Sequence, residues 1–472
     1  MGFDRPRRWL LALRVPSAHL VVVDVTCGGH GTDSATAGTV GPFMNVVHRD
    51  ELRPGTARSA LQHRHFRLLF IGAALSNVGT WMQNFVLPAY LDVRTGSAAL
   101  VGLLVFAQLG PQLFGSIPAG VLADRVNRTA LVLTMQATMM CLSIVLGLLA
   151  GFHAPLWTIF AVQLAMGIAN TTQAPAFNAS LPTLVPRADL PGAVSLTSAM
   201  INGSRIAGPA LAALLGAFGF ELWQLFLVNA ATYVLLMVPL ARLGLPRVIS
   251  ANTARGWRSL TTGMRLARRR RVLGRLLLSM SAFSIISLPY IGLFPSVARL
   301  NLGLAADGAA YKILYVVWGT GAFAGALSVG TIFAGVDRHQ MIRRGYLLFA
   351  VFLGGFALMS SYLPAVLVSF ALGFVYFQVA TTMVTELQHN LTDGERASIM
   401  PLWFMAFGGS IPIGNLIFGP LMDAIGARWT LLIGAVAAGI NALWTDLRRL
   451  ASSDFLTEEA HGDADSGPSR LH

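Results

Sequence analysis

Nine residues, Gly120 to Arg128 (GVLADRVNR), put a glycine, a carboxylate and two guanidinium groups between two long apolar runs. Asp124, Arg125 and Arg128 can form and break ion pairs, which is gate chemistry. Gly120 can let two helices approach closely, and Asp124 can serve as a helix cap near Thr129. A second stretch, Gly203 to Gly219 (GSRIAGPALAALLGAFG), spaces small residues three to four apart and places Arg205 among them. A charge inside a spanning helix costs about 2.5–3.5 kcal/mol on insertion scales. Arg205 therefore either faces a cavity as an anion or coupling site, or snorkels to the helix edge. Gly203 and Gly208 fit close packing, and Pro209 fits a kink.

Polar side chains also recur at helical spacing. Asn77, Trp81 and Asn84 share one face, with Thr80 beside them; Gln108 and Gln112, and Gln163 and Asn170, do the same further on. Gln378, Thr381, Thr382 and Thr385 form another such face near Tyr376. Each residue alone suits interhelical hydrogen bonding. As a set they outline a cavity for a mid-sized amphipathic molecule. Acids that could carry protons are scarce in this region: Asp92, beside Arg94, and Glu386, three residues before His389. Asp423 has Arg428 as its nearest basic residue in the chain. No Ser-His-Asp set, His-rich metal cluster, paired catalytic carboxylates or phosphate-cradling loop occurs, so neither an enzyme nor a bound metal or cofactor is expected.

The elements that must hold these residues are membrane helices. The chain has 472 residues, 54% hydrophobic and 12% charged, about half the charged share of soluble domains. Twelve apolar segments have roughly the 20 residues needed to span a bilayer: 67–91, 98–122, 129–151, 154–177, 191–218, 222–242, 274–298, 309–334, 344–362, 364–387, 397–423 and 427–447. A link with ten arginines between Arg242 and Arg275 separates six from six. Residues 1–62 read as a disordered cytoplasmic tail, and translation starting at Met44 rather than Met1 is a further expectation. The halves are 63–243 and 274–447, joined by a basic link 244–273 and followed by a tail 448–472. Cys27 and Cys141 suggest neither a disulfide nor a metal site.

With the N-terminus cytoplasmic, Arg125, Arg128, Arg187, the link, Arg338, Arg343, Arg344 and Arg396 fall on the cytoplasmic side. Arg94, Arg299, Lys312 and Arg428 fall opposite. This is the positive-inside pattern, with both termini cytoplasmic. It also accounts for the net charge of +13: the basic link meets anionic lipid headgroups, and nucleic acid is not expected. The halves match at shifts of 206 to 210 residues. Arg67-Leu68-Leu69 answers to Arg275-Leu276-Leu277, Gly120 and Arg128 to Gly330 and Arg338, and Leu196, Gly203, Ser204 and Gly208 to Leu402, Gly409, Ser410 and Gly414. A parallel six-plus-six repeat is a transporter architecture with its site between the halves.

GVLADRVNR resembles the signature of the loop between helices 2 and 3 of the major facilitator superfamily. The runs Thr95–Val132 and Leu181–Gly216 resemble the enterobactin-exporter-like, transmembrane secretion effector subgroup. The chain departs from the signature at Asn127, where the family usually has glycine, and its second copy has Ala334 in place of Asp124. The resemblance implies an all-α membrane protein of twelve helices in two six-helix pseudo-repeats. It also implies a monomer in the inner membrane that exports a siderophore, antibiotic or other drug-like molecule against protons; Asp92 and Glu386 are the residues that could carry the coupling. The alternative is a non-transporting receptor or lipid-handling protein on the same scaffold.

Overall fold

The computed structural model describes residues 54–245 and 255–445. Expectations for residues 1–53, for 246–254 and for the tail after 445 lie outside the described residues. Among the described residues the regular structure is helical throughout. A short helix α1 (Ala57–Ala60) precedes a first set of long helices: α2 (Arg64–Thr95), α3 (Ala98–Arg125), α4 (Arg128–Gly151), α5 (Leu156–Ser180), α6 (Leu190–Ala217) and α7 (Leu222–Leu243). A linking helix α8 (Arg255–Arg269) leads to the second set. This comprises a broken stretch of α9 (Arg271–Ala282), α10 (Pro289–Gly292) and α11 (Phe294–Leu302), then α12 (Ala309–Gly330), α13 (Arg338–Leu358), α14 (Tyr362–His389), α15 (Asp393–Phe404) and α16 (Ser410–Trp444).

Among the described residues, six helical stretches are long and apolar enough to cross a bilayer: Arg128–Gly151, Leu222–Leu243, Ala309–Gly330, Arg338–Leu358, Tyr362–His389 and Ser398–Trp444. The last holds two of the expected segments, because Gly426 at φ 84° breaks the helical path inside it. The remaining expected segments are less apolar or interrupted. In α2 the amides of Asn77, Gln83 and Asn84 dilute the apolar run, and the first stretch of the second set passes through a π-helical turn at Phe283–Ser287. Both departures mark where helices line something polar or bend around it.

Local signals set the helix ends. Gly96 takes the left-handed conformation at φ 63° to end α2, and the Ser97 side chain then caps α3. Capping boxes start α7 (Glu221 with Gln224) and α15 (Thr392 with Glu395). Asn127 caps α4 by accepting from Ala130 N, so the departure from the family glycine does the capping expected of Asp124. Asp337 does the same for α13, accepting from His339 N.

Each set has its own internal packing. α3 packs on α5, α2 on α7, and α4 on both α5 and α7; in the second set α12 packs on α14, and α13 on both α14 and α16. Gly208 meets the backbone of Trp81 and Met82, while Gly414, its counterpart by sequence, meets the backbone of Ile285. The sets touch along two seams, α3 with α16 and α6 with α12. At the first seam the absence of a Cβ is obligatory: one built on Gly102 or Gly419 would strike the backbone of Asn415 or Ala98.

Residues 54–62, which the sequence leaves in the tail, are held on the first set together with His63. Asp189, just before α6, accepts from Gly55 N at 3.1 Å and from the Ser59 hydroxyl, and contacts His63 Nε2 at 2.8 Å. These hydrogen bonds, led by His63, pull the Asp189 carboxyl from its ordinary 3.8 down to about 2. A carboxylate with a lowered pKa contributes stability above its ordinary value and loses it as pH falls toward the lowered one. The 54–63 segment should therefore stay docked above pH 4 and come loose as pH falls from 3.8 to about 2. Asp189→Asn should free it at neutral pH. Hydrogen exchange of the 55–63 amides, fast in the variant and slow in the parent, checks this; equal exchange in both would count against the clamp.

Candidate functional site: a central cavity between the helix sets

Between the two sets lies a cavity of about 450 Å³, within the range of small-molecule sites. Its first-set wall is rich in amides: Asn77 and Asn84 from α2, Gln108 and Gln112 from α3, and Gln163 and Asn170 from α5. These fall on one side because residues three, four and seven apart share a helix face. Gln108 donates to Asn84 Oδ1 at 2.5 Å, and Gln136 donates to Gln173 Oε1 at 3.0 Å. Behind this wall, Gln83 Oε1 accepts from both Ser143 and Asn229. That buried network locks α2, α4 and α7 together. Gln163 Oε1 is also buried but has no partner among the described residues.

The second-set wall is aromatic. Tyr311, Tyr315 and Trp318 of α12 repeat the i, i+4, i+7 spacing, joined by Tyr376 of α14 and by Phe407 from a π-helical turn at Met405–Gly409. Adjacent rings lie close along this wall: Tyr315 to Trp318 at 5.4 Å, Trp318 to Tyr376 at 6.2 Å and Tyr376 to Phe407 at 6.2 Å. The Trp318 indole is fixed by donating to the Tyr290 hydroxyl at 2.9 Å. Aromatic–aromatic contacts of this kind are worth about 0.5–1.5 kcal/mol each beyond area burial, so the wall is stiff.

Arg205 stands near the middle of α6, on the seam with α12, and lines the cavity together with Trp81. Its Cζ is 4.8 Å from the centroid of the Trp81 ring and 5.0 Å from that of Phe377. The Tyr376 hydroxyl is within hydrogen-bonding reach of the guanidinium, and Tyr315 lies nearby. Its Nε is buried with no hydrogen-bond partner. Snorkelling toward the helix edge is thus not what this side chain does. A desolvated cation–π contact is worth about 2 kcal/mol. Two of them roughly offset the cost of insertion but leave the unpaired N–H unanswered.

The cavity reaches Phe177 and Asn178 near the last turn of α5, where Asn178 is exposed. This is the arginine-rich end of the bundle. The opposite, arginine-poor end is shut by bonds between the sets. Asp92, 1% exposed, accepts from Arg299 Nε at 2.9 Å, from Arg299 Nη2 at 3.1 Å and from Ser296 at 2.6 Å. Arg299 also donates to Gly96 O at 2.7 Å. Asp423 of α16 accepts from the Ser97 hydroxyl at 2.8 Å and from the backbone N–H groups of Ala98 and Ala99 at 2.8 and 2.9 Å. It places a carboxylate on the N-terminus of α3, where the helix dipole favours negative charge. The Phe85 ring stacks on Tyr311 at 5.3 Å just inside this closure.

Several expectations change accordingly. Asp92 pairs with Arg299 rather than Arg94, which instead donates to the Tyr90 hydroxyl and His153 O. Asp423 caps α3 and makes no pair with Arg428. Glu386 lies at the arginine-rich end, buried and held by Arg338 at 3.2 Å, His339 at 3.0 Å and Asn390 at 2.9 Å, not by His389. Neither Asp92 nor Glu386 lines the cavity. Gln378 and Thr381 do not line it either: the polar face of α14 turns toward α13 and its own backbone, Gln378 crowding Gly345 and bonding Thr382. A Cβ on Gly120 or Gly203 would meet open space, so neither marks a close approach here, whereas Gly208 does. Pro209 is buried inside a continuous α6. Arg125 is exposed, Arg128 Nε donates to Ala123 O at 3.4 Å, and the Asp124 side chain lies outside the described residues.

A family profile described as "Transmembrane secretion effector" matches residues 55–464. The chain belongs to that family, of the major facilitator superfamily, whose members are membrane transporters and not enzymes. It is 26% identical over 390 residues to the enterobactin exporter EntS of Escherichia coli O127:H6 (strain E2348/69 / EPEC), covering 81% of this chain and 90% of that protein. The enterobactin exporter of Shigella boydii serotype 4 (strain Sb227) matches to the same extent. In fold, a mutant of the nucleoside transporter NupG is similar at TM-score 0.69 and 14% identity, covering 81% of this chain and 99% of that one. A bacterial homologue of the human lysosomal transporter Spinster, inward-facing and unoccupied, is similar at TM-score 0.66 and 15% identity, covering 81% and 97%.

Removing one partner of a wholly buried ion pair costs about 3–5 kcal/mol. Because Arg299 keeps 30% of its side chain exposed, Arg299→Ala should cost less, about 1–3 kcal/mol. That is enough to shift a population of conformers. Nitroxides at Val93→Cys and Leu300→Cys, in a background without Cys27 and Cys141, should report longer distances in the Arg299→Ala variant. An unchanged distance distribution would show that this pair does not hold the closure.

Proposed function

We propose that this chain exports a small amphipathic molecule by alternating access, with the central cavity as its substrate site and twelve spans in two related six-helix halves as its moving parts. One observation carries the reading: a cavity with an amide wall and an aromatic wall, sealed at one end by Asp92, Arg299 and Asp423 and reaching an exposed Asn178 toward the other. A carrier between strokes has this shape, because substrate must meet the site from one side at a time. The matched packing of the two sets, with Gly208 and Gly414 in equivalent contacts, supports the repeat.

The arginine distribution supports an inner-membrane orientation with both termini cytoplasmic. The cavity then faces inward and is ready to load from the cytoplasm. Exposed Arg265, Arg268 and Arg269 on α8 suit anionic headgroups at that surface. The 26% likeness to the enterobactin exporter favours the outward direction. A siderophore, an antibiotic or another drug-like compound fits the two walls. One chain holds the whole cavity, which suits a monomer.

Protons are the coupling ion in this reading, and Glu386 is the residue that carries the coupling. Protonating it removes the negative charge that pairs Arg338, at the start of α13, with α14. Asp92 instead serves the outer closure. The Asp124 signature belongs to the inner gate: its charge latches the cytoplasmic ends when the cavity faces outward.

Expression in a susceptible strain should lower the accumulation of an amphipathic fluorescent dye, and a protonophore should restore it. Accumulation identical to that of the deletion strain would sink export. Glu386→Gln should flatten the pH dependence of uptake into inverted vesicles; an unaltered profile would remove Glu386 from the coupling. Asp124→Asn should cut transport while leaving membrane insertion intact, and normal transport would rule out the latch.

A further inference from the structure

We infer that the transported molecule is an anion with a flat aromatic body, and that Arg205 receives its charge; this rests on the reading of the cavity as the transport site. Arg205 is the one charged residue among the described residues that line the cavity, and no carboxylate lines it. Four of the described acids are committed elsewhere: Asp92 to Arg299, Asp423 to the start of α3, Glu386 to Arg338 and His339, Asp189 to the 54–63 segment. A cationic substrate would meet only a like charge.

Three features of the arginine point to a ligand rather than to structure. Its Nε is buried and unpartnered, a donor left without an acceptor among the described residues. Trp81 and Phe377 hold the guanidinium at 4.8 and 5.0 Å, fixing its plane while taking none of its N–H groups. A planar fork with its Nε–H unpaired is the group that matches a carboxylate oxygen pair. The Tyr315 and Tyr376 hydroxyls beside it can add donors to the same anion.

The body of the ligand follows from the walls. The ring row of Tyr315, Trp318, Tyr376 and Phe407 offers a stiff aromatic surface next to the cation. Across the cavity, Gln163 Oε1 is a buried acceptor without a donor. A conjugated ring bearing a carboxylate or an acidic phenol, with a hydroxyl or N–H on its far edge, would satisfy the cation, the wall and the amide together. An aliphatic cation would bring a like charge to Arg205, and a neutral sugar would leave its charge unanswered.

Three probes that share a ring and differ in charge test this: 2-naphthoate, 2-naphthamide and 2-naphthylmethylammonium, bound to the full chain in lipid nanodiscs. The naphthoate should bind at least about tenfold more tightly than the amide, as a charge-assisted pair does over a neutral one. Arg205→Gln should erase that preference, and Arg205→Lys should keep part of it, since the charge survives while the planar fork is lost. Both variants are first shown to be monodisperse by size exclusion. Absence of saturable naphthoate binding, equal binding of the amide or ammonium probe, or an unchanged preference in Arg205→Gln would each overturn the proposal. Counterflow of labelled naphthoate in proteoliposomes separates the two readings. Charge-selective binding without counterflow would remove transport and keep the anion site. Counterflow that ignores probe charge and the Arg205→Gln change would keep transport and remove the anion site.

Discussion

A guanidinium near the middle of a lipid-embedded bundle has to be answered by something, and in this chain it is answered by rings. Insertion costs about 2.5–3.5 kcal/mol, and a carboxylate partner would be the common answer. Arg205 lies 4.8 Å from the Trp81 ring and 5.0 Å from the Phe377 ring, which return a comparable energy while its Nε–H stays unpaired. The surrounding structure serves that arrangement. Gly208, one turn along α6, lets the helix lie against the backbone of Trp81 and Met82, bringing the ring within reach. On the far side, close packing of α12 on α14, where Gly373 meets the Trp318 backbone, sets Tyr376 and Phe377 at the required depth.

The acids obey the opposite rule. Each described carboxylate that makes a specific bond sits at a helix end, where backbone donors or arginines can be found near water. Asp423 on the first turn of α3 combines three hydrogen bonds with a favourable dipole. Asp92 is the most buried of them, and it alone needs a bidentate arginine and a hydroxyl. Desolvating that carboxylate is tolerable only while the two helix sets are together, so the pair is strong when the closure is dry and weak once water enters. A contact with that dependence behaves as a switch more than as a rivet.

How much of this can be read in the sequence depends on distance along the chain. Asn77, Trp81, Asn84, Gln108, Gln112, Gln163 and Asn170 line the cavity because helical spacing alone puts them on shared faces. Tyr311, Tyr315 and Trp318 obey the same spacing, but aromatic residues on a spanning helix read equally well as lipid-facing, and periodicity cannot separate the two. Gln378 and Thr381 fail for the complementary reason: a polar face on α14 can be satisfied by α13 or by its own backbone. The partners of Asp92 and Asp423 lie across the molecule on the other helix set. Sequence neighbours such as Arg94 and Arg428 are the natural guess, and tertiary geometry overrides it. Asn127 shows a local rule succeeding in the wrong place, since the cap exists but three residues past the acid expected to form it.

The depth of each kind of bond bears on how such a molecule moves. When two rigid bodies rock about an axis at mid-depth, atoms at the ends travel far and atoms near the axis hardly at all. Ion pairs and backbone hydrogen bonds depend steeply on distance and angle, so placed at the ends they are made or lost as whole events and define discrete states. Ring–cation contacts fall off gently and tolerate sliding, so placed near the axis they persist through the motion. Asp92, Arg299 and Asp423 occupy the first position; Arg205, Trp81 and Phe377 occupy the second. A ligand that joins Arg205 therefore binds where both helix sets contribute and where the geometry changes least. In the proposed cycle it is held in both end states, while the end contacts decide which side it sees.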